Sequence, residues 1–217
     1  VIDTTAPPAP ALTSPANGSS ITSAAWTLID WSDVIDPFPI TYIYQASFSP
    51  TVDITGAFTA PIYTSVPLAI SEIPTGPNPE NTYYWHVRAV DSAGNSSVWS
   101  PVWSVTVDNT APTATLSLLS SNPTNSSNIQ FQVVFSEATT GFTLPAGVTV
   151  GGAGGTAGSL TPAGLNTYTF TVTPAAEGAL TVEVAAGAAT DAAGNGNTAS
   201  ASVPVTYDTT APSIAIT

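Results

Sequence analysis

The chain has 217 residues, with fourteen Asp and Glu against one Arg, no Lys and a net charge of −13. That balance excludes phosphate neutralisation on a nucleic acid and a polybasic hold on an anionic membrane. With no Cys, disulfides and thiolate metal sites are excluded as well. Twenty Pro and sixteen Gly between short Val, Ile, Thr and Tyr runs predict many strand ends and an all-β fold. No apolar run reaches about 18 residues and no basic segment precedes an apolar core, so neither a membrane span nor a signal peptide is expected.

Two marks recur along the chain. Ile2-Asp3-Thr4-Thr5-Ala6-Pro7 returns as Val107-Asp108-Asn109-Thr110-Ala111-Pro112 and as Tyr207-Asp208-Thr209-Thr210-Ala211-Pro212. Asp91-Ser92-Ala93-Gly94-Asn95 returns as Asp191-Ala192-Ala193-Gly194-Asn195, and each copy lies 17 residues before the next linker Asp. A period near 100 residues is the size of one Greek-key sandwich. Two tandem immunoglobulin-like sandwiches are therefore expected, over 1–108 and 109–208. Residues 209–217 are read as a linker and the first strand of a truncated or following domain, since Ser213-Ile214-Ala215-Ile216-Thr217 stands where Thr113-Ala114-Thr115-Leu116-Ser117 stands one period earlier.

In the first repeat, Pro8–Leu12 leads to an Asn17-Gly18 turn, and Thr27–Trp31 reads as the second strand with Ile29 and Trp31 on one face. Ile40–Phe48, Ile62–Ser65 and Leu68–Ile70 follow. Tyr83–Val90 is the clearest strand: Tyr83, Trp85, Val87 and Ala89 share one face, and Tyr84, His86 and Arg88 share the other, expected to be the solvent side. Trp103–Val107 closes the repeat. The Trp of the second strand and the Tyr-x-Trp-x-Val-x-Ala run resemble a bacterial fibronectin type III domain over about 100 residues. Trp99-Ser100-Pro101-Val102-Trp103-Ser104 resembles the Trp-Ser-x-Trp-Ser box of cytokine-receptor domains with one residue inserted, which implies that Arg88 stacks on Trp99. One His on a solvent face without a nucleophile beside it is a poor basis for catalysis.

In the second repeat, Thr115–Leu119 and Ile129–Ser136 read as the first two strands. Gly151–Gly155 lacks the Lys and the helix start of a phosphate loop and reads as a flexible connection. Tyr168–Val172, Leu180–Val184 and Ala201–Tyr207 are further strands, and Pro204 suggests an edge or a bulge. Phe135–Phe142, Tyr168–Pro174 and Asp191–Asn195 followed by Tyr207–Pro212 resemble a bacterial immunoglobulin-like repeat of large surface adhesins, more specifically than the first half resembles its family. The resemblance implies export, the bacterial cell surface, long arrays and calcium at domain junctions.

The acids can also be placed without the family. Strands of a seven-strand sandwich alternate in direction, so the loops after the second and sixth strands lie at the end where the chain comes in. That rule gathers Asp108, Glu137 and Asp191, with Asn195 nearby. In the first repeat it gathers Asp3, Asp33 and Asp91, with Asn95 nearby and Asp30 and Asp36 as further candidates. Three hard carboxylates without His or Cys suit Ca²⁺ rather than zinc or copper. The bland alternative is turn chemistry: Asp-x-Ala-Gly-Asn is a hairpin in which Gly supplies positive φ and Asp bonds its own turn.

The expectation is a non-enzymatic structural segment of a secreted bacterial surface protein, an adhesin stalk or extracellular filament stiffened by calcium. Its partners would be neighbouring repeats of the same chain and like subunits in a filament, with no nucleic acid, no membrane insertion and an unassigned glycan or protein target. The rival is an accessory carbohydrate-binding module of a secreted polysaccharide-degrading enzyme, resting on Tyr84, Trp99 and Trp103.

Overall fold

The computed structural model describes residues 2–24, 29–65 and 79–214, and the chain divides into two compact units, Val1–Asn109 and Thr110–Thr217. Among the described residues every named element is a strand, and no helix is long and apolar enough to cross a membrane.

In the first unit β1 (Leu12–Ser14), β2 (Ser19–Ile21), β3 (Asp30–Trp31), β4 (Ile40–Ser47), β5 (Tyr63–Thr64), β6 (Asn81–Asp91) and β7 (Trp103–Val107) follow in order. One sheet runs β2-β7-β6-β4-β5 and a two-stranded ladder pairs β1 with β3. The expected strand over Thr27–Trp31 is described only from Ile29 on, and the expected Leu68–Ile70 strand lies outside the described residues. β6 is the spine, because its 11 residues pair with β4 from Tyr84 to Asp91 and with β7 from Asn81 to Trp85. Tyr83, Trp85, Val87 and Ala89 are almost wholly buried, as the alternation predicts, and pack with Ile29, Trp31, Tyr42, Tyr44 and Val105.

The other face of β6 overturns an expectation: His86 is not on the solvent side but has no exposed surface. Phe58 covers the imidazole at 4.2 Å between ring centroids, and Trp99 stacks on it at 4.1 Å, nearly parallel. The Arg88 guanidinium lies 4.9 Å above Trp99, the stack implied by the box resemblance. Gln45 Oε1 accepts from the Phe58 N–H at 3.1 Å and lies 3.0 Å from His86 Nε2, so Nε2 carries the proton and Nδ1 is bare and buried. Two connecting segments, one after β4 and one after β6, have closed over a strand face that its own two-residue period marks as polar.

The second unit contains β8 (Ala114–Leu118), β9 (Ile129–Phe135), β10 (Val148–Gly152), β11 (Gly155–Gly164), β12 (Thr167–Pro174), β13 (Gly178–Val184) and β14 (Val203–Tyr207). One sheet runs β11-β12-β9-β8 and the other β10-β13-β14, which is the seven-strand partition of an immunoglobulin constant-type sandwich. Ile129, Phe131, Val133, Phe170, Val172, Leu180 and Val182 fill the space between the sheets with at most 1 % exposure. β14 is an edge strand, where Pro204 removes no ladder donor from a central position.

Gly151–Gly155 is not a loose connection. It contains the end of β10, a tight turn and the start of β11. A Cβ on Gly152, at φ +68°, would stand 2.3 Å from the Ala179 carbonyl oxygen, and one on Gly155 would stand 2.6 Å from that of Thr173. The glycines are required by backbones in close approach.

Two measurements follow. Burial first, and the Arg88 charge second, hold His86 down at about 4, against about 6.5 in an unfolded chain. A depressed histidine contributes stability that is complete above 6.5 and is lost as the pH falls towards 4. The unfolding free energy should therefore drop by about 2 to 3 kcal/mol between pH 7 and pH 4, and His86→Phe, which keeps the stack, should flatten that slope in urea titrations. Separately, Gly152→Ala should destabilise by about 2 kcal/mol or more, whereas Gly158→Ala, whose added Cβ meets nothing within 4 Å, should cost well under that.

Candidate metal centre

Each repeat builds the same loop after its sixth strand. Asp91 ends β6, and its backbone N–H donates to the Asn95 carbonyl at 3.0 Å; Asp191 does the same to Asn195 at 3.1 Å. Gly94 and Gly194 take φ of +94° and +95° to reverse the chain, a conformation open to glycine at little cost. In both loops the Asp side chain closes the turn: Oδ1 accepts the Asn N–H at 2.9 and 2.8 Å, and Oδ2 accepts the Asn Nδ2–H at 2.8 and 2.9 Å. Burial raises the pKa of Asp91 and Asp191, but the bonds from the Asn side chain and the turn's N–H groups outweigh it, and both carboxyls lie below the ordinary value.

The linker acids bond locally as well. Asp3 Oδ1 accepts the Thr5 N–H at 3.0 Å and Asp208 Oδ1 accepts that of Thr210 at 2.8 Å. This is why Asp-x-Thr recurs: the carboxylate caps the amide two residues on. Asn95 Nδ2 also donates to the Asp3 carbonyl oxygen at 3.3 Å, tying the first linker to the loop.

The third acid differs between repeats. In the second, the loop after β9 supplies Glu137; Ser136 clasps Thr113 through both its N–H and its Oγ. Ser32 clasps Ala11 in the same way, so Asp33 does occupy the place of Glu137. Yet Asp33 is not gathered with Asp3 and Asp91. The Tyr42 hydroxyl, which accepts from the Val34 N–H, lies 3.4 Å from Asp33 Oδ1, and Asp36, three residues on, comes in instead.

The structure thus gathers Asp3, Asp36 and Asp91 in the first unit, and Glu137 and Asp191 in the second, each group offering carboxylate oxygens within 4.8 Å of one another. Asn95 and Asn195 bond the central acid of each set. Two oxygens that ligate one Ca²⁺ at about 2.4 Å can be at most about 4.8 Å apart, so the spacing and the all-oxygen donor set fit a hard divalent cation. Without one, each carboxylate pair at that distance repels by about 3 kcal/mol at an effective dielectric near 20.

A second pair of acids escaped the sequence reading. Glu80 Oε1 accepts the N–H of Asn109, the residue after a linker Asp, at 3.0 Å. Glu177 Oε1 accepts the N–H of Thr209 at 2.8 Å and its hydroxyl, and Oε2 takes the Thr210 hydroxyl at 3.2 Å. The preceding residues continue the sandwich, Asp108 N–H donating to Ile21 and Asp208 N–H to Thr124. Each unit therefore grips its outgoing linker with a glutamate from the turn before its sixth strand. Only that shared position in the two repeats could have revealed it.

Two of the aromatic residues on which the rival reading rests, Trp99 and Trp103, do not form a coplanar row. Trp99 lies flat on His86 beneath Arg88, while Trp103 meets Trp85 edge-on and packs against the core.

A family model described as a bacterial Ig-like domain matches residues 108–207. Among solved structures, the chain is similar to the FN1–FN3 domains of chicken CNTN1, at 14% identity and a TM-score of 0.39, covering 93% of this chain and 65% of that one. No curated protein matches.

If Glu177 holds the outgoing linker, Glu177→Ala should speed exchange of the Thr209 amide by roughly tenfold or more, as loss of a charged hydrogen bond implies. Glu177→Gln should have a smaller effect, and the Thr210 amide, which bonds Asp208, should change least. Residue-resolved hydrogen exchange reads all three.

Proposed function

Taking residues 108–207 as a bacterial immunoglobulin-like domain, we propose that this chain is a non-enzymatic structural repeat segment of a secreted bacterial surface protein, stiffened by calcium where each linker meets the sandwich it leads into. Domains of this family are typically extracellular, where calcium is abundant enough to fill weak sites with dissociation constants of about 10⁻⁴ to 10⁻³ M. The observation that carries the reading is the gathering of acids in both repeats, Asp3, Asp36 and Asp91 in one and Glu137 and Asp191 in the other.

In this reading Asp91 and Asp191 are held rigidly by their own turns, so they need little reordering to accept an ion. Asp3 and Asp108 are carried on linkers. An ion shared between the two kinds of acid restrains the linker, offsets the carboxylate repulsion and turns a hinge into a stiff joint. An array of such joints holds a distal binding domain away from the cell. The family's generally non-catalytic character agrees with the absence of any paired-carboxylate or triad pattern from the sequence.

Calcium at about 10 mM, ten to a hundred times such a dissociation constant, stabilises the folded state by about 1.5 to 3 kcal/mol. For sandwiches of this size that raises the melting temperature by roughly 6 to 15 °C. Scanning calorimetry of the whole chain should show the rise, a chelator should reverse it, and Asp91→Asn with Asp191→Asn should remove it. A melting temperature indifferent to calcium and chelator, with no heat in a calcium titration, rules the calcium part out.

A further inference from the structure

The sheet β11-β12-β9-β8 contains no charged residue in any of its four strands, in a chain whose net charge is −13. Apart from the exposed Val134, the side chains of its outward face are mostly hydroxyls and carboxamides. One row across the strands reads Thr161, Thr169, Gln132, Ser117; the row beside it has Gly158, Thr171 and Gln130.

The grid is interrupted at one place. Between Gly158 and Thr161 the register of β11 against β12 slips, two residues of β11, Ser159 and Leu160, facing one of β12, Phe170. The added residue makes Gly158 and Ser159 consecutive outward positions before Leu160 turns back towards the core. Ser159 sits at φ +51°, where a residue with a Cβ is strained. A trough of about 240 Å³ opens there, lined by Gln130, Ser159, Thr161, Thr169, Phe170 and Thr171. The Thr171 hydroxyl donates to the Gly158 carbonyl at 3.3 Å. Among the described residues, no protein partner holds the Gln130 carboxamide or the hydroxyls of Ser159, Thr161 and Thr169.

We propose that this trough binds a neutral saccharide unit. Its volume suits one sugar ring. Its free valences are hydroxyls, which both donate and accept, and one carboxamide, which does the same through two atoms; this is the chemistry that matches the vicinal hydroxyls of a sugar. The threonine methyls give the C–H surface of the ring something apolar to rest on. The sheet carries no cationic side chain to hold a carboxylate, sulfate or phosphate. The strained serine is the mark of a built site, since glycine would take that backbone conformation freely and only the hydroxyl argues for keeping serine there. With no exposed aromatic ring to stack on, the trough binds weakly, in the millimolar range. This site is distinct from the aromatic residues of the first repeat and does not depend on calcium.

The test uses the whole chain, ¹⁵N-labelled, titrated with neutral trisaccharides built from glucose, galactose or mannose and with a sialylated trisaccharide as the charged control, each into the tens of millimolar range. Saturable shifts confined to Gln130, Ser159–Thr161 and Thr169–Thr171 with at least one neutral probe support the proposal. Thr169→Val should then weaken binding at least fivefold. Ser159→Gly should weaken it similarly while leaving the melting temperature unchanged or higher, a split that a merely structural serine cannot produce. No saturable shift with any neutral probe, tighter binding of the sialylated sugar, or binding unaffected by both variants overturns it.

Discussion

The five carboxylates of the second unit have no cation within their own half of the chain to answer to, and the nine of the first share a single guanidinium, Arg88, which is laid over Trp99. The fold therefore manages negative charge with backbone amides and hydroxyls. Asp3, Asp36, Asp53 and Asp208 each accept the N–H two residues on; Asp91 and Asp191 accept a whole turn; Asp33 faces a tyrosine hydroxyl. Asp53, which takes the Thr55 hydroxyl and N–H and the Ala57 N–H, has its carboxyl lowered chiefly by those bonds. Such bonds use one or two lone pairs of a carboxylate and leave others for an ion, so turn chemistry and metal binding do not compete for the same electrons.

The two units share a scheme of side chains bonded to backbone at equivalent places. Ser100 and Ser200 each receive a core strand's N–H through Oγ and return their own N–H to the same residue, Val87 in one case and Val184 in the other. Ser97 does this for Ala89, and Asn197 for Ala189. Asn197 also reaches the Ala185 carbonyl, spanning a short loop that β6 replaces by continuous strand. These clasps hold the segment after the sixth strand against the sandwich, and thereby fix the loop that carries Asp91 or Asp191. The glutamate grips at Glu80 and Glu177 do the same for the departing linker. Both ends of a unit are pinned by short polar side chains rather than by ion pairs, which suits a chain with almost no cations.

The one place where the repeats part company shows how such a scheme drifts. Asp33 and Glu137 follow serines with the same clasp, but a tyrosine in β4 is close enough to face Asp33, and the shorter side chain stays there. Asp36 then completes the set. The number of acids at the incoming end is kept although the residue that supplies one of them has changed.

Local periodicity carried much of this protein. The two-residue alternation of Tyr83–Ala89 and Ile129–Phe135 named the buried faces, because a strand exposes one side at a time and an apolar side must be covered. The paired marks 100 residues apart gave the tandem architecture, and the residue types alone pointed to oxygen ligands. What alternation could not carry was anything set by contact between distant segments. His86 is buried because Phe58 and Trp99 fold over a face that its own strand leaves open. Gly151–Gly155 is ordered because β12 and β13 run past it too closely for a Cβ. Asp36 displaces Asp33 because Tyr42 stands beside the latter. In each case the deciding atom lies on another strand or loop, and only the closed sandwich brings it near.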